Sequence, residues 1–254
     1  MKTPLTWAVA ALAAAGPYTA SRRPAFNAED VLGKTRAAYE KLTSYADSGT
    51  VLDESTGFTD RSTFRTFFTR EPNNLFIEFR GVASEYQIGN RVPLTTHVVL
   101  WMQNGELETW SSASQSHETY PRAEGQQVNA VKSAAHFTSG ISVLVPSHLY
   151  GKAANLASAI DAAEEVEPDG FETVNGRKCY RLLGVERWRY PSGQETSVRA
   201  ITIWIDAETY LIHKVFQDTP KGYPRNEISR RTTTIKHRAN PKLTPAQFQF
   251  KVPT

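Results

Sequence analysis

An alternation of apolar and polar side chains with a period of two runs through most of this chain and limits its fold more than any other feature. Phe64, Thr66 and Phe68 share one face of a segment whose other face carries Arg65. A period of two is typical of strands, which place successive side chains on opposite faces. The pattern therefore predicts a protein built mainly of strands. The predicted strands are 45–52, 61–70, 75–80, 97–103, 106–110, 116–120, 170–174, 178–185, 198–205, 210–217 and 230–238.

Short turns separate many of these segments. Asn104-Gly105 and Asn175-Gly176 are two-residue sequences that favour tight hairpins, and Pro72 lies in a turn between two aromatic strands. Hairpins join neighbouring strands in antiparallel fashion. The spacing therefore predicts a meander of antiparallel strands, with no internal repeat and no linker that divides the chain.

Three segments have helical rather than strand periodicity. Asn27 is placed to cap a helix over residues 28–42, with acidic side chains in its first turn. The middle of the chain, residues 126–150, contains apolar positions at helical spacing, and residues 153–163 form a weaker third patch. The sequence thus predicts an α+β protein that is mostly β.

The N-terminus has the layout of a secretory signal peptide. Lys2 precedes an apolar run that ends near Ala15, and small residues and helix breakers follow up to Ser21. We expect residues 1–21 to be removed on export and residues 22–254 to form one periplasmic domain; a cut after Ala15, or a buried N-terminal helix, remains open. No later stretch is long and apolar enough to cross a membrane.

The charge pattern does not favour nucleic-acid binding. The chain has 254 residues and a formal net charge of +3, and its arginines and lysines are scattered. A nucleic-acid surface needs a concentrated basic stripe. We therefore expect no nucleic-acid partner.

A search for catalytic and metal-binding motifs predicts no catalytic residue, metal site or cofactor. None of the six histidines forms a helical zinc pair, and neither HExxH nor GxSxG occurs. Cys179, the single cysteine, is expected to be a buried apolar group in a strand. A glycosidase-like pair of carboxylates stays open, because such pairs need no fixed spacing in the sequence.

Aromatic residues make up 11% of the chain, and many fall on apolar strand faces. In a two-sheet sandwich these faces would fill the core. In a half-closed barrel they would line a cavity beneath helices. Alternation alone is compatible with both arrangements.

The order of several short motifs resembles the LolA-like superfamily of periplasmic proteins. The similarity extends over nearly the whole chain after the leader. The matching segments are a helix running into a strand at 34–49, aromatic strands at 64–79, W-x-x-x-G at 101–105, G-x-x-x-Y within 174–182, W-I-D within 203–214, and the chain end at 248–253.

This resemblance implies an incomplete, strongly curved antiparallel β-barrel with helices packed in its concave side, and a hollow that holds acyl chains. It implies a non-catalytic, monomeric carrier or binding protein for a lipid, a lipoprotein acyl chain or another apolar ligand. Two alternatives stay open: an envelope sensor or scaffold that docks an envelope or outer-membrane protein, and a hydrolase on the same fold. The predicted ligand-binding residues are Phe64, Phe68, Leu75, Ile77, Phe79, Leu100, Met102, Ile203 and Ile205 in the trough, and Phe137, Ile141 and Leu144 in the helical cover.

Overall fold

A single open antiparallel sheet forms the framework of the protein. The computed structural model describes residues 26–55, 58–87, 90–103, 105–120, 131, 163–189, 195–219 and 229–253. Within them, eleven strands lie in the order β6-β5-β4-β3-β2-β1-β11-β10-β9-β8-β7. The strands are β1 Ser44–Ser55, β2 Phe58–Thr69, β3 Asn74–Gln87, β4 Asn90–Gln103, β5 Glu106–Ser111, β6 Ser116–Tyr120, β7 Ala163–Val174, β8 Arg177–Arg189, β9 Glu195–Asp206, β10 Ile212–Thr219 and β11 Ser229–Ala239. This confirms the predicted α+β, mostly β class and the incomplete, curved barrel.

The sheet consists of two meanders that meet at one seam. Strands β1 to β6 pair in chain order, and β7 to β11 do the same. The seam is the antiparallel pairing of β1 with β11, in which Gly49 lies opposite Ile235. The two ends of the chain's strand region thus come together at the middle of the sheet.

Helix α1, Ala28–Glu40, lies across one end of the sheet and packs into its concave side. Asn27 caps it by accepting hydrogen bonds from the backbone of Glu29 and Asp30 at 2.8 and 3.2 Å. At its other end, the hydroxyl of Tyr39 accepts a hydrogen bond from the Ile212 backbone N–H at 3.2 Å. Helix α1 therefore lies over the end of the concave side at which β1 and β10 begin.

A second layer covers part of the convex face. The last residues form a short 3₁₀ helix, Pro245–Phe248, and the Phe248 side chain is 1% exposed. It packs with Phe76, Val99, Trp101 and Trp110, whose side chains point away from the hollow. The chain end therefore shields aromatic residues that the strand alternation places on the outer face.

Strand β7 is longer than the sequence analysis predicted. The prediction began a strand at Gly170 because Pro168 and Gly170 resemble a turn. In the structure the strand begins at Ala163 and passes both residues through register shifts, with Gly170 at φ 114°. Bulges in a strand at the edge of a sheet tolerate proline and glycine, because one side of such a strand needs no ladder hydrogen bonds.

Some predictions fall on parts of the chain that the structure does not describe. The leader, 1–21, lies outside the described residues, and so do 126–130, 132–150 and 153–162 of the two helical patches. Ala163, the last residue of the second patch, is the first residue of β7, so the helical prediction is wrong there. Val131 is described: it is helical and fully buried against the concave face of the sheet. The predicted first helix is present, with its end at Glu40.

Candidate functional site

The concave face of the sheet brings the predicted trough together. All nine of its side chains belong to one buried cluster, and none is more than 6% exposed. The register explains why: Phe64 pairs with Phe79, and Phe68 pairs with Leu75. Leu75 in turn pairs with Met102, so adjacent strands present apolar side chains to the same side. That these side chains bind a ligand stays a prediction.

The predicted cover is described at one position. Phe137, Ile141 and Leu144 lie outside the described residues. Val131, from the same predicted helical segment, is buried in the cluster that contains the trough. This residue therefore lies over the concave face, on the side where the cover was expected.

The two ends of the concave face differ in polarity. The end next to α1 is apolar and aromatic, with Tyr39 and Tyr45 in ring contact at 5.8 Å. At the opposite end, Arg231 donates to both carboxylate oxygens of Asp53, at 2.6 and 3.1 Å. The amide of Gln217, opposite Arg231 in register, donates to Glu186 at 2.8 Å. The concave side thus has an apolar end at the helix and a charged end at the opposite ends of the strands.

A facing pair of polar side chains interrupts the apolar wall beside Phe64 and Phe68. Asp47 and Thr66 face each other across β1 and β2, 4% and 0% exposed. Neither carboxylate oxygen of Asp47 nor the hydroxyl of Thr66 forms a hydrogen bond of good geometry with the described residues. Burial raises the pKa of Asp47 to about 7, and the hydroxyls of Thr66 and Tyr45 and the Thr66 backbone, which lie beside the carboxyl, offset part of that rise. A buried carboxyl without a well-formed hydrogen bond or a charged partner is costly.

The predicted trough does not include this polar pair. The strand alternation puts Thr66 on the same face as Phe64 and Phe68 but gives no sign of a polar partner opposite it. Asp47 lies in mid-strand between Tyr45 and Gly49. The available signal was that aspartate is disfavoured inside strands, and that this one shares a face with aromatic residues.

A different carboxylate on the convex face is fully paired. Glu78 accepts hydrogen bonds from Arg80 at 2.8 and 3.0 Å and from Arg65, and His97 contacts it at 2.8 Å. Burial works to raise the pKa of Glu78, but Arg80, His97 and Arg65 outweigh it and hold that pKa below its usual value. Arg65 therefore lies outside the hollow, where its role is to pair with a buried acid.

The single cysteine also lies on the convex face. Cys179 is buried on the convex face with Val174 and Trp204, and burial raises the pKa of its thiol to about 11. A thiol with so high a pKa is unreactive at neutral pH. No group of three histidine, cysteine or acidic side chains within the described residues has the arrangement of a metal site.

No protein-family model matches the chain, and no curated protein sequence matches it. Several solved structures resemble it in fold. LprF from Mycobacterium bovis is 13% identical with a TM-score of 0.46, over 92% of this chain and 99% of that one. The Mycobacterium tuberculosis lipoprotein LppX is 10% identical with a TM-score of 0.41, over 86% and 99%.

A further similar structure is MucB from Pseudomonas aeruginosa, solved in complex with MucA. It is 16% identical with a TM-score of 0.42, over 87% of this chain and 60% of that one. At these identities and scores the likeness carries no argument about what this chain binds. The open antiparallel sheet with a helix in its concave side is itself the architecture that the LolA-like resemblance implied.

Proposed function

We propose that the protein is an exported, non-catalytic carrier or binding protein for a lipid, an acyl chain or another apolar ligand held on the concave face of the sheet. The removal of residues 1–21 and a periplasmic location of residues 22–254 are parts of this proposal. Its function is to shelter the ligand from water.

One observation supports the proposal: the trough side chains, from the four strands β2, β3, β4 and β9, form an apolar surface on the concave side of a single curved sheet. In the described residues no second sheet faces this surface. Helix α1 spans about 20 Å and lies across one end. A ligand that takes its place among the trough side chains would gain about 0.8 kcal/mol for each CH₂ group removed from water.

The direct test is native mass spectrometry, with lipid extraction, of the protein purified from the periplasm. We expect a bound species that is released into organic solvent. We also expect the delipidated protein to take up a fluorescent fatty acid. A clean apo mass together with no uptake would overturn the proposal.

A pair of variants on neighbouring residues makes the test specific to the concave face. Leu100→Phe adds volume inside the trough and should weaken fatty-acid uptake roughly tenfold. Val99→Leu adds volume on the opposite face of the same strand, where Val99 packs with Trp101 and Phe248. Uptake by the Val99 variant should match the parent protein, provided that both variants give the parent circular dichroism spectrum.

Docking of an envelope or outer-membrane protein is the second candidate function. Phe171, on β7 at one end of the described strand order, is 48% exposed. A large exposed apolar side chain on an edge strand suits a protein contact. Phe171→Ser should abolish a specific cross-linked partner in the periplasm and leave fatty-acid uptake unchanged. Leu183→Ser, on the opposite face of the sheet, is the matched control, and an unchanged cross-linking pattern in Phe171→Ser would remove this candidate.

A further inference from the structure

We propose that Asp47, Thr66 and Tyr45 form a polar anchor in the wall of the hollow, which binds a hydrogen-bond donor carried on an otherwise apolar ligand. The donor is a hydroxyl or a protonated amine. This inference rests on the proposed function, because the anchor is useful only if a ligand enters the hollow. It goes further by naming the ligand's polar group.

The anchor lies within the predicted trough. On β2, Thr66 is flanked on its own face by Phe64 and Phe68, which both belong to the trough cluster. On β1, Asp47 lies directly opposite Thr66, with Tyr45 as its neighbour on the same face. A ligand lying on these aromatic rings would therefore pass over the carboxyl group.

The carboxyl of the anchor differs from the other buried carboxylates in its partners. The structure describes four buried carboxylates: Asp47, Glu78, Glu186 and Asp206. Arginine side chains donate to Glu78 and Asp206, and the Gln217 amide donates to Glu186. Asp47 has neither an arginine nor an amide donor among the described residues; only the hydroxyls of Thr66 and Tyr45 and the Thr66 backbone lie beside it, and neither carboxylate oxygen forms a hydrogen bond of good geometry. Its oxygens can therefore accept a hydrogen bond from a ligand as well.

The chemistry of the anchor selects the ligand's polar group. An ionised carboxylate can only accept hydrogen bonds, so a hydroxyl or an ammonium group satisfies it. A fatty-acid carboxylate or a phosphate is repelled by the ionised carboxyl in this low-dielectric site, so a fatty acid binds through its apolar chain alone, without help from the anchor. An ester has no donor and leaves the carboxylate unpaired. The anchor therefore favours hydroxylated or amine-bearing amphiphiles over acids and esters of the same chain length.

The test uses four probes with the same twelve-carbon chain: dodecanol, dodecylamine, dodecanoic acid and methyl dodecanoate. Each displaces N-phenyl-1-naphthylamine from the full-length protein at pH 8, where Asp47, with a pKa of about 7, is ionised. We expect the alcohol and the amine to bind about tenfold more tightly than the acid and the ester.

Two isosteric variants and one control locate the effect. Asp47→Asn and Thr66→Val should each reduce the preference for donor ligands, and Asp47→Asn should remove most of it. Asp53→Asn changes a carboxylate that Arg231 already satisfies, and should leave the preference intact.

Equal affinities for all four probes, unchanged in Asp47→Asn, would overturn the anchor and show that solvent alone satisfies the site. Those affinities would still support an apolar hollow. If none of the four probes binds, the proposed function fails together with the anchor. The two failures are therefore distinguishable.

Discussion

Asp47 and Asp206 are both buried, at 4% and 1% exposure, but their surroundings have opposite effects on their ionisation. Burial raises the pKa of Asp47 to about 7. Burial works the same way on Asp206, but Arg177 and the backbone N–H groups of Glu208 and Thr209 outweigh it and hold the pKa of Asp206 well below its usual value. The hydrogen-bonding and charged neighbours of each carboxyl, rather than its degree of burial, therefore decide the direction in which its pKa shifts.

The Asp47→Asn substitution should change how stability depends on pH. The pKa of Asp47 lies above its ordinary value of 3.8, so the native state binds more protons than the unfolded state between about pH 4 and 7. The free energy of unfolding therefore falls as the pH rises through this window, by up to about 4 kcal/mol. Urea denaturation at pH 4.5 and pH 8 should show the variant gaining stability relative to the parent at the higher pH. The same pH slope in both proteins would contradict this expectation.

Asp206→Asn should show the opposite sign. Because the native pKa of Asp206 is depressed, its contribution to stability is present above the unfolded pKa and is lost as the pH falls through the native value. The variant should be less stable than the parent at pH 7, by about 3 kcal/mol. This difference should shrink in acid, and urea denaturation at pH 3 checks it. A constant difference across the pH range would rule out the assigned pKa direction.

At the scale of elements, the two-residue period was sufficient to predict that each strand described by the structure exists, but not its length: β3 continues to Gln87 and β4 begins at Asn90, where the sequence predicted 75–80 and 97–103. It also assigned the correct face to Phe64, Phe68 and their neighbours, because a half-buried strand needs one apolar side. The alternation could not give the true start of β7, where bulges let Pro168 and Gly170 remain within a strand. Nor could it show that Asp47 and Thr66 meet, since that pairing depends on the register between strands.

The close packing around β1 predicts a contrast between two glycines. A Cβ atom on Gly49 would overlap the carbonyl oxygen of Thr234 and the ring of Phe64, whereas one on Gly33, exposed on α1, would meet nothing within 4 Å. Gly49→Ala should therefore lower the free energy of unfolding by roughly 1–3 kcal/mol or more. Gly33→Ala should raise it by about 0.5–1 kcal/mol through helix propensity. Thermal and urea denaturation check both, and equal effects would refute the close approach at Gly49.

The C-terminal layer predicts a contrast between two phenylalanines. Phe248 is 1% exposed beneath the chain end, and Phe171 is 48% exposed at the edge of the sheet. Phe248→Ala should cost about 3–5 kcal/mol of stability, because it leaves a cavity against Trp101 and Trp110. Phe171→Ala should cost less than about 1 kcal/mol. If urea denaturation shows that Phe248→Ala costs no more stability than the small loss expected for Phe171→Ala, the outer layer does not stabilise the sheet.

For the whole molecule, the seam between the two meanders is the feature that the sequence left undetermined. Local periodicity predicts hairpins between consecutive strands, but the pairing of β1 with β11 joins segments from opposite ends of the chain. The concave trough depends on this pairing, since Phe64 comes from one meander and Ile203 from the other. The sequence alone therefore predicted which side chains are apolar, and the LolA-like resemblance was needed to place them in one hollow.

A double-mutant cycle measures a side-chain contact across the seam. Asp53 on β1 and Arg231 on β11 form a bidentate ion pair, and their side chains are 32% and 31% exposed. Replacing each by alanine, alone and together, should give a coupling energy of about 0.5–1 kcal/mol that decreases in high salt. The comparison pair, Asp218 with Arg230, lies within one meander at 3.5 Å and should couple more weakly. A salt-independent coupling would contradict an electrostatic origin.

The seam also has a consequence for biosynthesis. Residues of β1 leave the ribosome on the order of 170 residues before those of β11, a delay of roughly 10–40 s at ordinary elongation rates. Throughout that interval the β1 edge of the nascent first meander is unpaired and lies next to a large apolar surface, and both features favour aggregation. The early part of the chain is therefore the part that a holdase chaperone has to protect until the last strand arrives.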